Sequence, residues 1–402
     1  MTYEGMWSTL AQIGRHDRTG GYRRYTWSEP HRECELWFQE EAAKRGLTLE
    51  SDGNGNVVAW WRPDPDQTEG GVVTGSHLDS VPDGGAFDGP LGVVSALAAL
   101  DLLRDNGVQP ARPLGIAVFA EEEGARFGVA CLGSRLLTGA LPAERARELR
   151  DADGVSLPDA MERAGASPAL GPSLGLLHAP SAFVELHIEQ GRGLVDLEAP
   201  VGVADSIWAH GRWRFEFTGE ANHAGTTRMA DRHDPMLTYA MTALAANKRA
   251  RLTRTRATFG HVEVEPNATN AVPSTVRAWL DGRAHDEESL RALVEEVRRL
   301  AGDRAQRDGT GLEVEAESLT PGVDFDADLR RRLVTRLGGA PELPTQAGHD
   351  AGILAAAGVP AAMLFVRNPT GVSHSPAEHA EAADCVAGVH ALADVLTELL
   401  AP

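Results

Sequence analysis

The chain has 402 residues, too many for one ordinary hydrophobic core, and this length predicts two domains. Hydrophobic content of 42% and charged content of 24% are those of a soluble globular protein, while a formal net charge of −20 argues against nucleic acid or an anionic membrane as a partner. Cys34, Cys131 and Cys385 are odd in number and show no CxxC pairing, which predicts reduced thiols and a cytoplasmic setting rather than a disulfide framework.

Met1 to Arg24 lacks the apolar core of a signal peptide, and no later stretch approaches transmembrane length. Glu29 to Arg45 places Leu36, Trp37, Phe38 and Ala42 at near-helical spacing, and Gly46 ends that helix. Asp52 to Asn56 reads as a turn and Val57 to Trp61 as a strand. Val72 to Thr74 is a short apolar run that delivers His77 at its carboxyl end. Leu91 to Leu103 reads as a core helix with Pro90 in its first turn, and Leu114 to Ala120 as the next strand. This alternation predicts a parallel sheet, with His77 and Asp88 presented where ligands sit in such sheets. Both are candidate metal ligands. Asp79, two residues from His77 on an extended backbone, points the same way and can orient the imidazole. The bland alternative is a polar strand-to-helix loop with capping residues.

Glu121, Glu122 and Glu123 follow the apolar strand that carries Ile116, Val118 and Phe119. Carboxylates crowded at a buried strand end raise one another's pKa unless a cation intervenes. A divalent cation would let one glutamate ligate while its neighbour handles protons. Pro142 to Pro180 predicts short helices and loops without readable chemistry. Phe183 to Gly191 is another apolar strand that ends in a polar cluster, and His187 there is a further candidate ligand.

Past Val203 the pattern changes. Strands at 213–218, 257–264, 275–280 and 312–317, with helices at 235–249 and 287–301, predict an inserted α+β domain over 206–319. His223 lies in its small-residue loop Ala221 to Thr227, and Arg283 is a candidate anion clamp. From Leu329 the α/β pattern returns, with a helix opened by Gly348-His349-Asp350, a strand at 361–366 and a loop histidine, His374.

Taken together, Gly-Ser-His-Leu-Asp (75–79), Phe-Asp-Gly-Pro-Leu-Gly (87–92), Glu-Glu-Gly-Ala-Arg-Phe (122–127), His-Ile-Glu-Gln-Gly (187–191) and Asn-His-Ala-Gly-Thr-Thr (222–227) resemble the M20 metallopeptidase superfamily. More narrowly, the chain resembles its hydantoinase/carbamoylase subfamily, which contains N-carbamoyl-L-amino acid hydrolases, allantoate amidohydrolases and β-ureidopropionases. The resemblance runs from Ile13-Gly14 to Ser373-His374-Ser375-Pro376-Ala377-Glu378. It implies an α/β fold: a mostly parallel-sheet metallohydrolase catalytic domain over 1–205 and 320–402, with a smaller α+β lid and dimerisation domain inserted at 206–319. It also implies two divalent ions, for which zinc, manganese, cobalt and nickel all suit the donor set. His77 and His187 would hold one ion and Glu123 and His374 the other, with Asp88 bridging, and Asp79 would stand behind His77. Glu122 would be the general base. His223 would face the oxyanion, across a homodimer interface. Gln190, Asn270 and Arg283 would hold the carboxylate of a ureido or carbamoyl substrate.

The chain departs from the family pattern at Arg228, where proline is common after Thr-Thr, at Arg367 within 365–370, and at Gly282 before Arg283. Arg228 and Arg367 are expected to bear on the substrate pocket, not on the reaction type. The leading expectation is hydrolysis of an N-carbamoyl amino acid. Allantoate hydrolysis shares every motif. An aminoacylase or dipeptidase fits less well, because Gly89-Pro90-Leu91 stands where those branches carry a lysine after the bridging aspartate. A catalytically dead scaffold would have no need of the clustered carboxylates.

Overall fold

The structure is a computed structural model that describes residues 2–64 and 66–402. The chain divides into two compact units, Met1–Ser206 with Asp324–Pro402, and Ile207–Val323. The first unit opens with strands β1 (Thr48–Ser51), β2 (Val57–Trp61), β3 (Val72–His77), β4 (Leu114–Phe119), β5 (Ala182–Ile188) and β6 (Val201–Ile207). The inserted unit carries β7 (Ala209–Thr218), β8 (Asn222–His223), β9 (Arg256–Glu265), β10 (Ala271–Val272), β11 (Thr275–Ala284) and β12 (Gly311–Thr320). The chain then adds β13 (Val323–Asp324), β14 (Glu342–Thr345) and β15 (Ala361–Val366).

The large sheet runs β1-β2-β4-β3-β5-β15-β6-β13, with β14 paired to β6. Its middle strands β4, β3, β5 and β15 are mutually parallel. They are buried at every position. Burial along the whole strand is what a sheet covered on both faces shows. The parallel pattern stops on either side, because β2 lies antiparallel to β4 and β6 antiparallel to β15. The alternation of strand and helix in the sequence did not reveal that change of direction.

Helix Pro90–Asp105 starts on a proline, which loses nothing at a position whose N–H has no helical partner. Leu91, Leu97, Leu100 and Leu103 are buried, on β3, β5 and the C-terminal helix Ala382–Leu399. Each such leucine contributes about 1.5–3 kcal/mol relative to an exposed one. The helix thereby anchors the loop that precedes it, and that loop carries Asp88.

The inserted unit has a different texture. Its sheet is antiparallel, in the order β12-β7-β11-β9, and β11 alternates half-buried and buried positions along its length. Helices Pro235–Thr253 and Glu287–Asp308 pack on it, started by Asp234 and Asp286, whose carboxylates accept the N–H groups of Met236 and Ser289. Phe215, Phe217, Val276, Leu280, Leu293 and Val297 form its own core. Cys34, Cys131 and Cys385 are buried free thiols. No helix among the described residues is long and apolar enough to cross a membrane.

Candidate metal centre

Because the middle strands run parallel, their carboxyl ends open on one side of the sheet. β3 ends at His77, β5 carries His187 near its end, and β4 runs into Glu121–Glu123. Asp88 comes from the loop before helix Pro90–Asp105, and His374 from the segment after β15. Asp88 Oδ1 lies 3.5 Å from His77 Nε2 and 3.2 Å from His187 Nε2. Its other oxygen, Oδ2, lies 3.5 Å from His374 Nε2, which is 3.4 Å from Glu123 Oε2. The side chains therefore form two triads that share Asp88: His77–Asp88–His187 and Asp88–Glu123–His374, each with its ligand atoms within 4.8 Å of one another. Glu122 belongs to neither. Its Oε2 is 3.6 Å from His77 Nε2.

The surrounding bonds aim these donors. Asp79 accepts the backbone N–H groups of Glu122 and Glu123 at 3.2 and 3.1 Å. His77 Nδ1 faces the Asp79 carbonyl oxygen at 3.2 Å and its Oδ1 at 3.5 Å. His187 Nδ1 faces the Ile188 carbonyl at 2.9 Å. Each ring proton is thus placed on Nδ1, and Nε2 is left as the electron-pair donor. Both Nε2 atoms are buried and have no hydrogen-bond partner among the described residues. A cation satisfies such an atom, and buried polar atoms are otherwise almost always paired. The donor set therefore fits a divalent metal.

Asp88 is itself fixed from several directions. Glu378 accepts the N–H groups of Phe87 and Asp88 at 2.8 and 3.0 Å. Gln190 Nε2 donates to Asp88 Oδ2 at 2.7 Å, and Ser373 Oγ does so at 3.3 Å. The next residue must be glycine: Gly89 has φ +83°, and a Cβ there would meet His77 Cε1 at 2.5 Å.

Burial raises the Glu122 carboxyl well above the usual range; His77 opposes the shift, and Asp350, Glu123 and Asp79 add to it. Burial likewise raises Glu123, reinforced by Asp88. Asp88 moves the other way: burial would raise it, but His187 and His77 outweigh that and hold it well below the usual range. For His77, burial would lower the pKa, yet Glu122, Asp79 and Asp88 together raise it well above the ordinary value. A cation among these carboxylates removes the repulsion that a strand end crowded with them creates.

The remaining candidates are each held by local bonds. Gln190, expected on the substrate carboxylate, is bonded to Asp88. His223 stands on β8, opposite Ala271 of β10, and is exposed. Its Nδ1 accepts the N–H groups of Gly225 and Thr226 at 3.0 and 3.2 Å, which leaves the proton on Nε2. Asn270 is exposed, and its carbonyl accepts the N–H of Ala224 at 2.9 Å. Arg283, on β11, meets the Asp281 carboxylate through Nε at 2.8 Å and Nη2 at 3.2 Å. Arg228 is exposed and paired with Asp231. Arg367, expected to bear on the pocket, ties the end of β15 to the C-terminal helix through two bonds to Asp384, at 2.8 and 2.9 Å.

The structure adds residues to which the sequence reading gave no role. Besides Glu378, Cys131 donates its thiol to Glu122 Oε1 at 3.4 Å. Buried His349 has its ring 4.5 Å from that of His187. Glu185 accepts from Ser76 Oγ and Ala351 N–H at 2.8 and 3.0 Å. Glu185 had a signal, since it precedes His187 by two residues on one strand face. Glu378 and His349 stand in segments the sequence marks, but their contacts were hidden because the groups they touch are far away in sequence.

Residues 73–398 match the model for peptidase family M20/M25/M40. The chain belongs to this family. It is 36% identical to the N-carbamoyl-L-amino acid amidohydrolase of Geobacillus stearothermophilus over 98% of each chain. Against the allantoate amidohydrolase of Bacillus subtilis it is 33% identical, over 97% of this chain and 95% of the other. A crystal structure of a hydantoinase/carbamoylase family amidase from Burkholderia multivorans matches with a TM-score of 0.89 at 29% identity, over 99% of this chain and 97% of that one. This M20 chain is accordingly an amidohydrolase that acts on linear amide C–N bonds.

Proposed function

We propose that the protein hydrolyses N-carbamoyl-L-amino acids, cleaving the bond between the carbamoyl carbon and the amino nitrogen. The observation that carries this reading is the pair of triads sharing Asp88, with Glu122 beside them but outside both. The 36% identical relative, named an N-carbamoyl-L-amino acid amidohydrolase, supports the substrate class. Allantoate is the second reading, supported by the Bacillus subtilis relative. Buried free cysteines fit a reducing, cytoplasmic setting.

His77, Asp88 and His187 would hold one divalent ion, and Asp88, Glu123 and His374 a second. When bound, such ions lower the pKa of water and polarise the scissile carbonyl. Glu122 takes a proton from the attacking water and gives it to the leaving nitrogen. A carboxyl whose burial favours its protonated form is suited to that transfer. Asp79 bonds the backbone of both Glu122 and Glu123, so that base and ligand keep their separate places. His223 offers Nε2–H to the developing oxyanion. Arg283 exchanges Asp281 for the substrate carboxylate, which it can grip through two parallel bonds, assisted by Asn270 and Gln190.

Ammonia release measures turnover of N-carbamoyl-L-amino acids and allantoate, and release of the free amino acid measures turnover of N-acetyl-L-amino acids, which yield acetate and no ammonia. Across N-carbamoyl-L-amino acids, allantoate and N-acetyl-L-amino acids, the highest kcat/KM is expected for a carbamoyl substrate. Allantoate in first place would establish the second reading. Turnover of N-acetyl compounds alone would overturn both.

A homodimer is part of the proposal. Leu237, Met241 and Leu244 are exposed at helical spacing on Pro235–Thr253, and β9 is an edge strand of the same unit. These features suit a second copy of the chain, which would bring His223 to its neighbour's centre. Mixing His223→Ala with Glu122→Gln protein should then restore activity, because a mixed dimer contains one centre with both residues intact. Confirmed subunit exchange without recovery would place His223 in its own chain or outside the reaction.

A further inference from the structure

We propose that Arg192 forms an anion subsite that selects substrates whose side chain carries a second carboxylate, an inference that rests on the N-carbamoyl amino acid reading above. β5 and β15 pair in register, His187 beside Phe365 and Ile188 beside Val366, and the Glu189 N–H continues the ladder to the Val366 carbonyl at 2.8 Å. Residues 189–192 and 367–374 therefore leave the sheet side by side from its carboxyl end. The first segment places Gln190 on Asp88, and the second brings Ser373 and His374 to the same carboxylate. Arg192 is two residues from Gln190.

Both segments are held rigidly. Buried Glu189 accepts the N–H groups of Gly193 and Leu194, which fixes the turn that presents Arg192. Buried Asn368 accepts from the N–H groups of Thr370 and Gly371 at 3.1 and 2.9 Å and donates to the Val372 carbonyl at 2.8 Å. The Arg192 stem lies against Gly371. A Cβ at that position would come within 2.3 Å of Arg192 Cγ and 2.9 Å of Cδ, and Gly371 has φ +67°. Glycine is thus needed for the arginine to lie along the segment that ends at His374.

The charged end has no such use. Arg192 is exposed, and no hydrogen bond, ion pair or ring contact holds its guanidinium among the described residues. In the same unit Arg23, Arg45, Arg62, Arg126 and Arg367 are each held by a carboxylate. A guanidinium presented by a rigid turn two residues from Gln190, which bonds Asp88, is chemically matched to a planar anion. Arg283 takes the α-carboxylate in the reading above, and an aliphatic side chain makes no bond to a guanidinium. The matching class is an N-carbamoyl amino acid with an acidic side chain, of the aspartate or glutamate type.

The test measures kcat and KM separately for N-carbamoyl-L-aspartate, N-carbamoyl-L-glutamate and N-carbamoyl-L-leucine. Arg192→Met keeps the stem on Gly371 and removes the charge. It is expected to raise KM for the better acidic substrate by about tenfold or more, the loss of a hydrogen-bonded charge. The leucine compound should keep its kcat/KM within about twofold, and Arg192→Lys should fall between wild type and Arg192→Met. An equal loss on all three substrates would assign Arg192 to the loop alone and overturn the inference, as would an unchanged KM for both acidic substrates. Either result leaves the carbamoylase reading standing. Failure of the wild-type protein on every carbamoyl substrate would remove that reading, and the subsite with it.

Discussion

Glu122→Gln should keep the metal complement and lose turnover by a factor of about 10² or more, the usual contribution of a positioned general base. Glutamine preserves the shape of the side chain and its contact with the Cys131 thiol, and the backbone N–H stays on Asp79. What it cannot do is accept the proton of the attacking water. Glu123→Gln should behave differently. Glu123 Oε2 faces His374 Nε2 at 3.4 Å within the second triad, so its loss weakens one ion site before it affects proton transfer. Steady-state kinetics together with metal analysis separates the two variants. Near-normal turnover in Glu122→Gln would mean that the roles of the pair are reversed.

Asp88→Ala should have the larger effect, because one side chain serves both triads. Activity is expected to fall below detection and bound metal to well under one ion per chain. A second readout does not depend on turnover. Without a cation the centre leaves His77 and His187 with unsatisfied buried nitrogens and Glu122 and Glu123 in mutual repulsion. Metal binding should therefore stabilise the fold, by about 2.7 kcal/mol at a hundredfold excess over Kd. Calorimetry of wild-type protein should show a Tm that falls on chelation and recovers with added zinc or manganese. In Asp88→Ala the same additions should move Tm far less. An equal response in both proteins would place the metal somewhere other than these triads.

The residues gathered into the triads stand out in the sequence for a physical reason. Parallel strands covered on both faces are apolar throughout, so a histidine or carboxylate at the end of one breaks the pattern visibly. Val72–His77 and Ala182–Ile188 both show this. The supporting contacts were far less legible. Asp79 is close to His77 in sequence, but its hydrogen bonds reach Glu122 and Glu123, which periodicity does not link to it. Glu378 governs the Asp88 loop from 290 positions away in the chain. Arg367 is visible in the sequence as a charge near the site, whereas its partner Asp384, on the C-terminal helix, is not.

Element boundaries followed the same logic. Strands β7 and β11 of the inserted unit alternate in burial, and helix Glu287–Asp308 has an acidic start and one apolar stripe. Helix Ala382–Leu399 was not read from the sequence, because it is apolar around most of its surface and buries Cys385, Val389, Leu392 and Leu396 against the core. A helix packed on several sides loses the periodicity that would announce it. Strand direction was equally hidden, since β2 reads like its parallel neighbours and runs opposite to them.

The most direct test of the central claim measures metal content and ammonia release on the same preparation, with an N-carbamoyl-L-amino acid as substrate. About two divalent ions per chain are expected, with ammonia release that chelation abolishes and added metal restores. Undiminished ammonia release from protein shown by elemental analysis to contain no divalent transition metal would contradict the account.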